Sequence, residues 1–171
     1  MVCRLFPQVS QETLSGAAQL KIMSIFYDAV KESVTHVDGM VDRMQDREVT
    51  AWLGVPLGIR QPERAALEAA LHVQRSFLRW SAAMASQGLK VRLAVGVASG
   101  SLASGQLDLK DGHPFVVLGD AIDKARQLAA SEPQQADVQV RVCPATAAAV
   151  QHKGLRVVDS DEVAHFNLVL E

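Results

Sequence analysis

An α+β domain, its sheet mostly antiparallel and packed by helices, is what this sequence predicts. Three observations predict it. Extended and helical patterns follow one another in the order strand, helix, two strands, helix, strand. Each helical pattern carries one apolar stripe, and the clearest strand alternates apolar with basic residues. The rest of the chain adds further short strands and helices behind that core.

Residues 2–6 (VCRLF) read as the first strand, stopped by Pro7, with Cys3 packed as a small hydrophobe. From Ala17 onward Leu20, Met23, Tyr27, Val30, Val34 and Val37 recur at alternating steps of three and four, one buried helical stripe. Asp38 and Gly39 end that helix and open a hairpin with arms GMVDRM and EVTAWLG, its tip formed by Asp46, Arg47 and Glu48. Gln61, Pro62 and Glu63 start a second helix, with stripe Ala70, Val73, Phe77, Trp80 and Met84, closed by Gly88. In LKVRLAVGVASG, Leu89, Val91, Leu93, Val95 and Val97 point inward, and Lys90 and Arg92 outward. This order is the ferredoxin-like βαββαβ plan.

Beyond it, a polar loop (LDLKDGHP) leads to a strand FVVL. Gly119 and Asp120 introduce a helix to about Ser131. DVQVRVC reads as a strand, PATAAAV as a short helix started by Pro144, and LRVVD with HFNLVL as a closing pair.

At 171 residues the chain suits one domain, 1–171, and no linker or repeat divides it. Its 17 basic and 19 acidic side chains include no basic run, which argues against a nucleic-acid partner. There is no membrane-spanning apolar run and no signal peptide, and the two cysteines have no metal-like spacing. The expectation is a soluble cytoplasmic protein. His36, His72, His113, His152 and His165 show no ligand spacing and read as ordinary histidines.

Three motifs in order resemble the catalytic domain of class III nucleotidyl (adenylate and guanylate) cyclases. Asp42-Arg43-Met44 begins, and Gly54 ends, a hairpin similar to the family's Asp-Lys-Phe-x-Gly-Asp arm. Gly96, Gly100 and Gly105 match a Gly-x-x-x-Gly-x-x-x-x-Gly pattern, and VLGDAIDKARQL resembles apolar-Gly-Asp-x-Val-Asn-x-Ala-x-Arg. The similarity runs over roughly residues 2–168. It implies the cyclase fold, head-to-tail pairing with another cyclase-like chain, and ring closure of a nucleoside triphosphate. In that reaction the ribose 3′-oxygen attacks the α-phosphate and pyrophosphate leaves. In the family two Asp residues hold two Mg²⁺ ions, and an Asn and an Arg from the other subunit steady ribose and phosphate.

Carried over position by position, the resemblance implies a degenerate member. In LFPQVSQET, Gln8 stands where the first metal Asp belongs, and Arg47 stands for the second. Asp123 replaces the Asn and Gln127 the Arg. Of the substrate-binding positions, Arg43 holds the Lys place, Val116 the base-selecting place, and Asp120 keeps the family residue. Arg47 puts a fixed cation where divalent ions would lie. Like charges about 4 Å apart repel by roughly 4 kcal/mol per unit pair at an effective dielectric near 20. A one-residue slip would make Asp46 a fallback metal ligand and Arg126 the helix Arg, but a slip turns each strand side chain to the opposite face.

The expectation is therefore a noncatalytic homology domain acting as a dimerisation or regulatory module in intracellular signalling. It would form a homodimer or heterodimer, with no cofactor, and Val49, Ala51 and Leu53 would be a candidate contact surface. One alternative is an active or heteromeric cyclase, which would need Mg²⁺ or Mn²⁺. The other is a domain that senses a nucleotide through Arg43, Arg47 and Arg126 without turnover.

Overall fold

The computed structural model describes residues 1–8, 15–86, 88–134 and 136–150, with the backbone alone for 155–158 and 165–168. Among the described residues thirteen elements are present: β1 (Val2–Pro7), α1 (Gly16–Thr35), β2 (Met40–Gln45), β3 (Glu48–Trp52), α2 (Pro62–Ala85), β4 (Val91–Val97), β5 (Ala103–Gln106), β6 (Phe115–Leu118), α3 (Ala121–Leu128), β7 (Val138–Val142), α4 (Pro144–Val150), β8 (Leu155–Val158) and β9 (His165–Leu168). The expected βαββαβ order is there. Of the segment LFPQVSQET, residues 9–13 lie outside the described residues, as do Asp159, Val169 and Leu170 of the two closing segments.

Seven strands form one sheet in the order β2-β3-β1-β4-β7-β9-β8. Its first four strands pair antiparallel, β4 and β7 pair parallel, and the closing hairpin β8–β9 joins antiparallel. β5 and β6 form a separate two-stranded hairpin. The sequence pattern missed β5, because ASGQ has no apolar alternation and only its pairing with β6 makes it a strand.

One face of the sheet packs against α1, α2 and α4. Cys3, Leu5, Val49, Ala51, Leu93, Val95 and Val97 meet Ile22, Phe26, Val30, Val73 and Phe77 there. Burial pushes the Cys3 thiol up to about 12, so it acts as a hydrophobe. α1 begins at Ser15, whose hydroxyl accepts the Ala18 N–H, a cap that satisfies one free helix donor. Its buried stripe is Ile22, Phe26, Val30 and Val34, whereas Leu20 is 73% exposed and Met23, Tyr27 and Val37 are half-buried. The expected stripe holds at Val30 and Val34, but nearer the N-terminus the buried residues are Ile22 and Phe26, each one position before the expected Met23 and Tyr27, about 100° around the helix.

The opposite face is covered only in part, by α3. Here Val2, Ala94, Ala125 and Ala129 form a second, smaller cluster with Phe6, Ala98 and Ile122. β4 is therefore buried on both sides, not on one. α3 lies so close to β4 that a Cβ on Gly96 would sit 2.0 Å from the Ala125 carbonyl oxygen. Gly119, at φ +152°, also admits no side chain, since Ser101 O would lie 2.6 Å away, while Gly105 faces open space. Arg141 of β7 is 7% exposed and donates to the carbonyls of Leu128 (2.8 Å) and Ser131 (3.0 Å), satisfying the C-terminal end of α3.

Val49 and Ala51 are 0% and 1% exposed and Leu53 packs on the same core, so they are not a contact surface. They fall on the face that α1 and α2 cover. Exposed apolar side chains cluster instead on and beside β5–β6: Leu107, Leu109, Phe115 and Leu118. Among the described residues no helix is long and apolar enough to cross a membrane.

Candidate functional site

Where α3 stops short, a cleft of about 900 Å³ opens over β1, β3 and β2 and reaches Gln19, Ile22 and Met23 near the start of α1. The strand registers decide what lines it. Arg4 pairs with Glu48 across β1 and β3, and Val2 with Thr50, so these side chains share one face. In β2 a bulge skips Asp42, and Arg43 then stands opposite Thr50. The bulge thus aims Arg43 at the cleft, where strict alternation from Val41 would not have changed its face.

The hairpin tip is the two-residue turn Asp46-Arg47. Asp46 adopts φ +54°, a left-handed conformation that Asp tolerates better than most residues. Two outside contacts anchor the tip: the Tyr27 hydroxyl donates to the Asp46 carbonyl (2.8 Å), and the Leu5 N–H donates to the Arg47 carbonyl (2.9 Å). Arg47 is half-buried and Asp46 exposed, and both line the cleft.

Four guanidinium groups face this space, from Arg4, Arg43, Arg47 and Arg126, against the carboxylates of Asp46 and Glu48. Glu48 sits between two of them, paired with Arg4 and with Arg126 Nε at 3.1 Å. Burial alone would raise its pKa, but hydrogen bonds from Arg4 and Arg126 outweigh that and hold it below the ordinary carboxylate range. Arg126 also reaches Asp123 Oδ1 at 3.1 Å. Among the described residues, the side chains of Arg43 and Arg47 make no hydrogen bond or ion pair.

The other positions carried over from the resemblance stand outside the cleft of a single chain. Gln8 is exposed past the end of β1, and its amide donates to Glu132 (2.8 Å), which also binds Arg92. Asp123 and Gln127 are exposed on α3, and Val116 is half-buried in the β5–β6 hairpin. Asp120 precedes α3 and pairs with Lys124, which lowers its pKa. Arg126 reaches the cleft because α3 buries Ala121, Ala125 and Leu128. Arg4 was not singled out from sequence. The signal was there: a basic residue between Cys3 and Leu5 on a strand whose alternate side chains fill the core.

No family model matches the chain. Two uncharacterized proteins of Mycobacterium tuberculosis are 24% and 26% identical to it over 113 residues, 66% of this chain. The chain spans about a fifth of the length of these curated relatives (19% and 20%). Among solved structures, the adenylyl cyclase CyaB from P. aeruginosa matches with a TM-score of 0.73 at 15% identity, over 99% of this chain and 93% of that one. The guanylyl cyclase Cya2 matches at 0.72 and 13%, over 98% and 89%. The guanylyl cyclase domain of the RhoGC fusion protein from Blastocladiella emersonii, in a dimeric form, matches at 0.74 and 12%, over 98% and 92%; a monomeric form is also known. The chain has the fold of the class III adenylyl and guanylyl cyclase catalytic domains.

Proposed function

We propose that this chain is a cyclase-homology domain that does not close the nucleotide ring and acts instead by pairing, as a dimerisation or regulatory module. One observation carries the reading: four guanidinium groups line the cleft beneath the hairpin, and Arg47 is at its tip. Two Mg²⁺ ions need hard, anionic oxygen ligands around them. Glu48 is already neutralised by Arg4 and Arg126, which leaves Asp46, among the described residues, as the one cleft carboxylate not engaged by an arginine. The donor set does not fit a two-metal centre, and we derive no step through one. Pairing is supported by the apolar side chains exposed around β5–β6 and by the exposed α3 positions Asp123 and Gln127, which a second chain could meet.

The test is incubation of the purified chain with ATP or GTP and Mg²⁺ or Mn²⁺, with cyclic product measured beside sedimentation. No product and a self-associating species are expected. Turnover by the chain alone would overturn the reading.

A second reading is favoured by Arg43 and Arg47, which have no partner among the described residues: the cleft takes a nucleotide's phosphates directly, without metal and without turnover. Thermal stabilisation by ATP or GTP in EDTA, abolished by Arg43→Ala with Arg47→Ala, is its expected signature. No shift at millimolar nucleotide would remove it.

A further inference from the structure

On the helical side of the sheet, away from the cleft lining, two histidines distant in sequence come together. His36 caps the C-terminal end of α1, and His72 lies midway along α2. Their rings stack with centroids 4.5 Å apart and planes 29° from parallel. Glu68, one turn before His72 on α2, joins them, and one ligand atom from each residue lies within 4.8 Å of the other two.

We propose that His36, Glu68 and His72 form a binding site for a single borderline transition ion of the Zn²⁺ class. The donor chemistry selects the ion: two imidazoles and one carboxylate suit Zn²⁺, Co²⁺ or Ni²⁺, whereas Mg²⁺ and Ca²⁺ take oxygen ligands. Ligand atoms around a tetrahedral Zn²⁺ lie about 3.4 Å apart, given bonds of about 2.1 Å. Rotation of the side chains, two of them exposed, closes the distance from the separation seen here.

The backbone under the site is firm. α2 buries Leu67, Ala69, Ala70 and Val73 around Glu68 and His72, and Val34 anchors the end of α1 at 0% exposure. Two ligands come from one rigid helix and the third from its neighbour, so the ion would tie α1 to α2. The tie lies just ahead of the turn at Asp38 (φ +56°) and Gly39 that launches β2, the strand carrying Arg43. Sequence spacing could not reveal the site, because β2 and β3 separate His36 from α2. The histidines, read as ordinary from sequence, are partners in space.

The experiment uses the full chain, stripped with a chelator and dialysed. It is titrated with Zn²⁺ by calorimetry and with Co²⁺ by visible absorption. One ion per chain is expected, with Co²⁺ bands of a low-coordinate nitrogen-oxygen site and a rise in melting temperature with Zn²⁺. His36→Ala and His72→Ala should each weaken binding by on the order of 10- to 100-fold. Glu68→Gln, at an exposed position, should do so with an unchanged melting temperature in chelator, and it decides the matter if a histidine variant fails to fold. Cys143→Ser and His113→Ala should bind as the parent does. The proposal is overturned by the absence of saturable binding, or by binding that survives either Glu68→Gln or the double histidine variant undiminished.

Discussion

Beneath α1 and α2, strand residues Cys3, Leu5, Val49, Leu93 and Val95 are at most 1% exposed and belong to one apolar cluster. On the other face the same strands β1 and β3, joined by β2, present Arg4, Arg43, Glu48 and Thr50 to an open cleft. The alternation of a strand makes both surfaces from one stretch of chain. The contrast shows where such a fold can change its chemistry. A side chain in the dry layer is held by close packing, where a missing methylene is felt. A side chain on the cleft has solvent beside it, so its charge can change while the layer behind stays intact.

Five substitutions break or sharpen that contrast. Phe77→Ala, in the dry layer, should lower unfolding free energy by about 3–5 kcal/mol in urea titrations, through a cavity that α1 and β4 cannot fill. Gly96→Ala tests the crowded part of the other face. Its methyl meets the Ala125 carbonyl, so α3 must lift, at a cost of about 1–3 kcal/mol, whereas Gly105→Ala should stay within about 0.5 kcal/mol.

Glu48→Gln removes the charge shared by Arg4 and Arg126 and should cost about 1–2 kcal/mol at neutral pH. Because the folded-state pKa of Glu48 is depressed, its contribution is full above the unfolded value near 4.3 and is lost as pH falls through the folded one. The gap between parent and variant should therefore close on acidification. A gap that stays constant with pH would mean that shape, not charge, matters there. Arg43→Ala, at an exposed position with no partner among the described residues, should change stability by less than about 0.5 kcal/mol. If it matched Phe77→Ala instead, the two faces would not differ as described.

Local patterns made much of this molecule legible. The βαββαβ order, the Gly39 turn, the β7 strand and the Pro144 helix are each announced by a few neighbouring residues. The hairpin itself, with Asp46 and Arg47 at its tip, was legible, but the bulge that skips Asp42 and turns Arg43 to the cleft was not. Arg126 is different. From sequence it was one residue away from the expected helix position, and it reaches Glu48 only because Ala121, Ala125 and Leu128 turn inward. The α1 stripe was read with an offset because apolar residues flank both candidate faces, and packing on β3 and α2 chose between them.

By itself the sequence determined the order of most strands and helices, since those outcomes depend on backbone preference and periodicity within a few residues. Tertiary structure alone decided that Arg4 stands across from Glu48, that β5 is a strand, that Arg141 closes α3, and that His36 meets His72. These depend on strand register and on helices packing across long stretches of chain, contacts that no local pattern encodes.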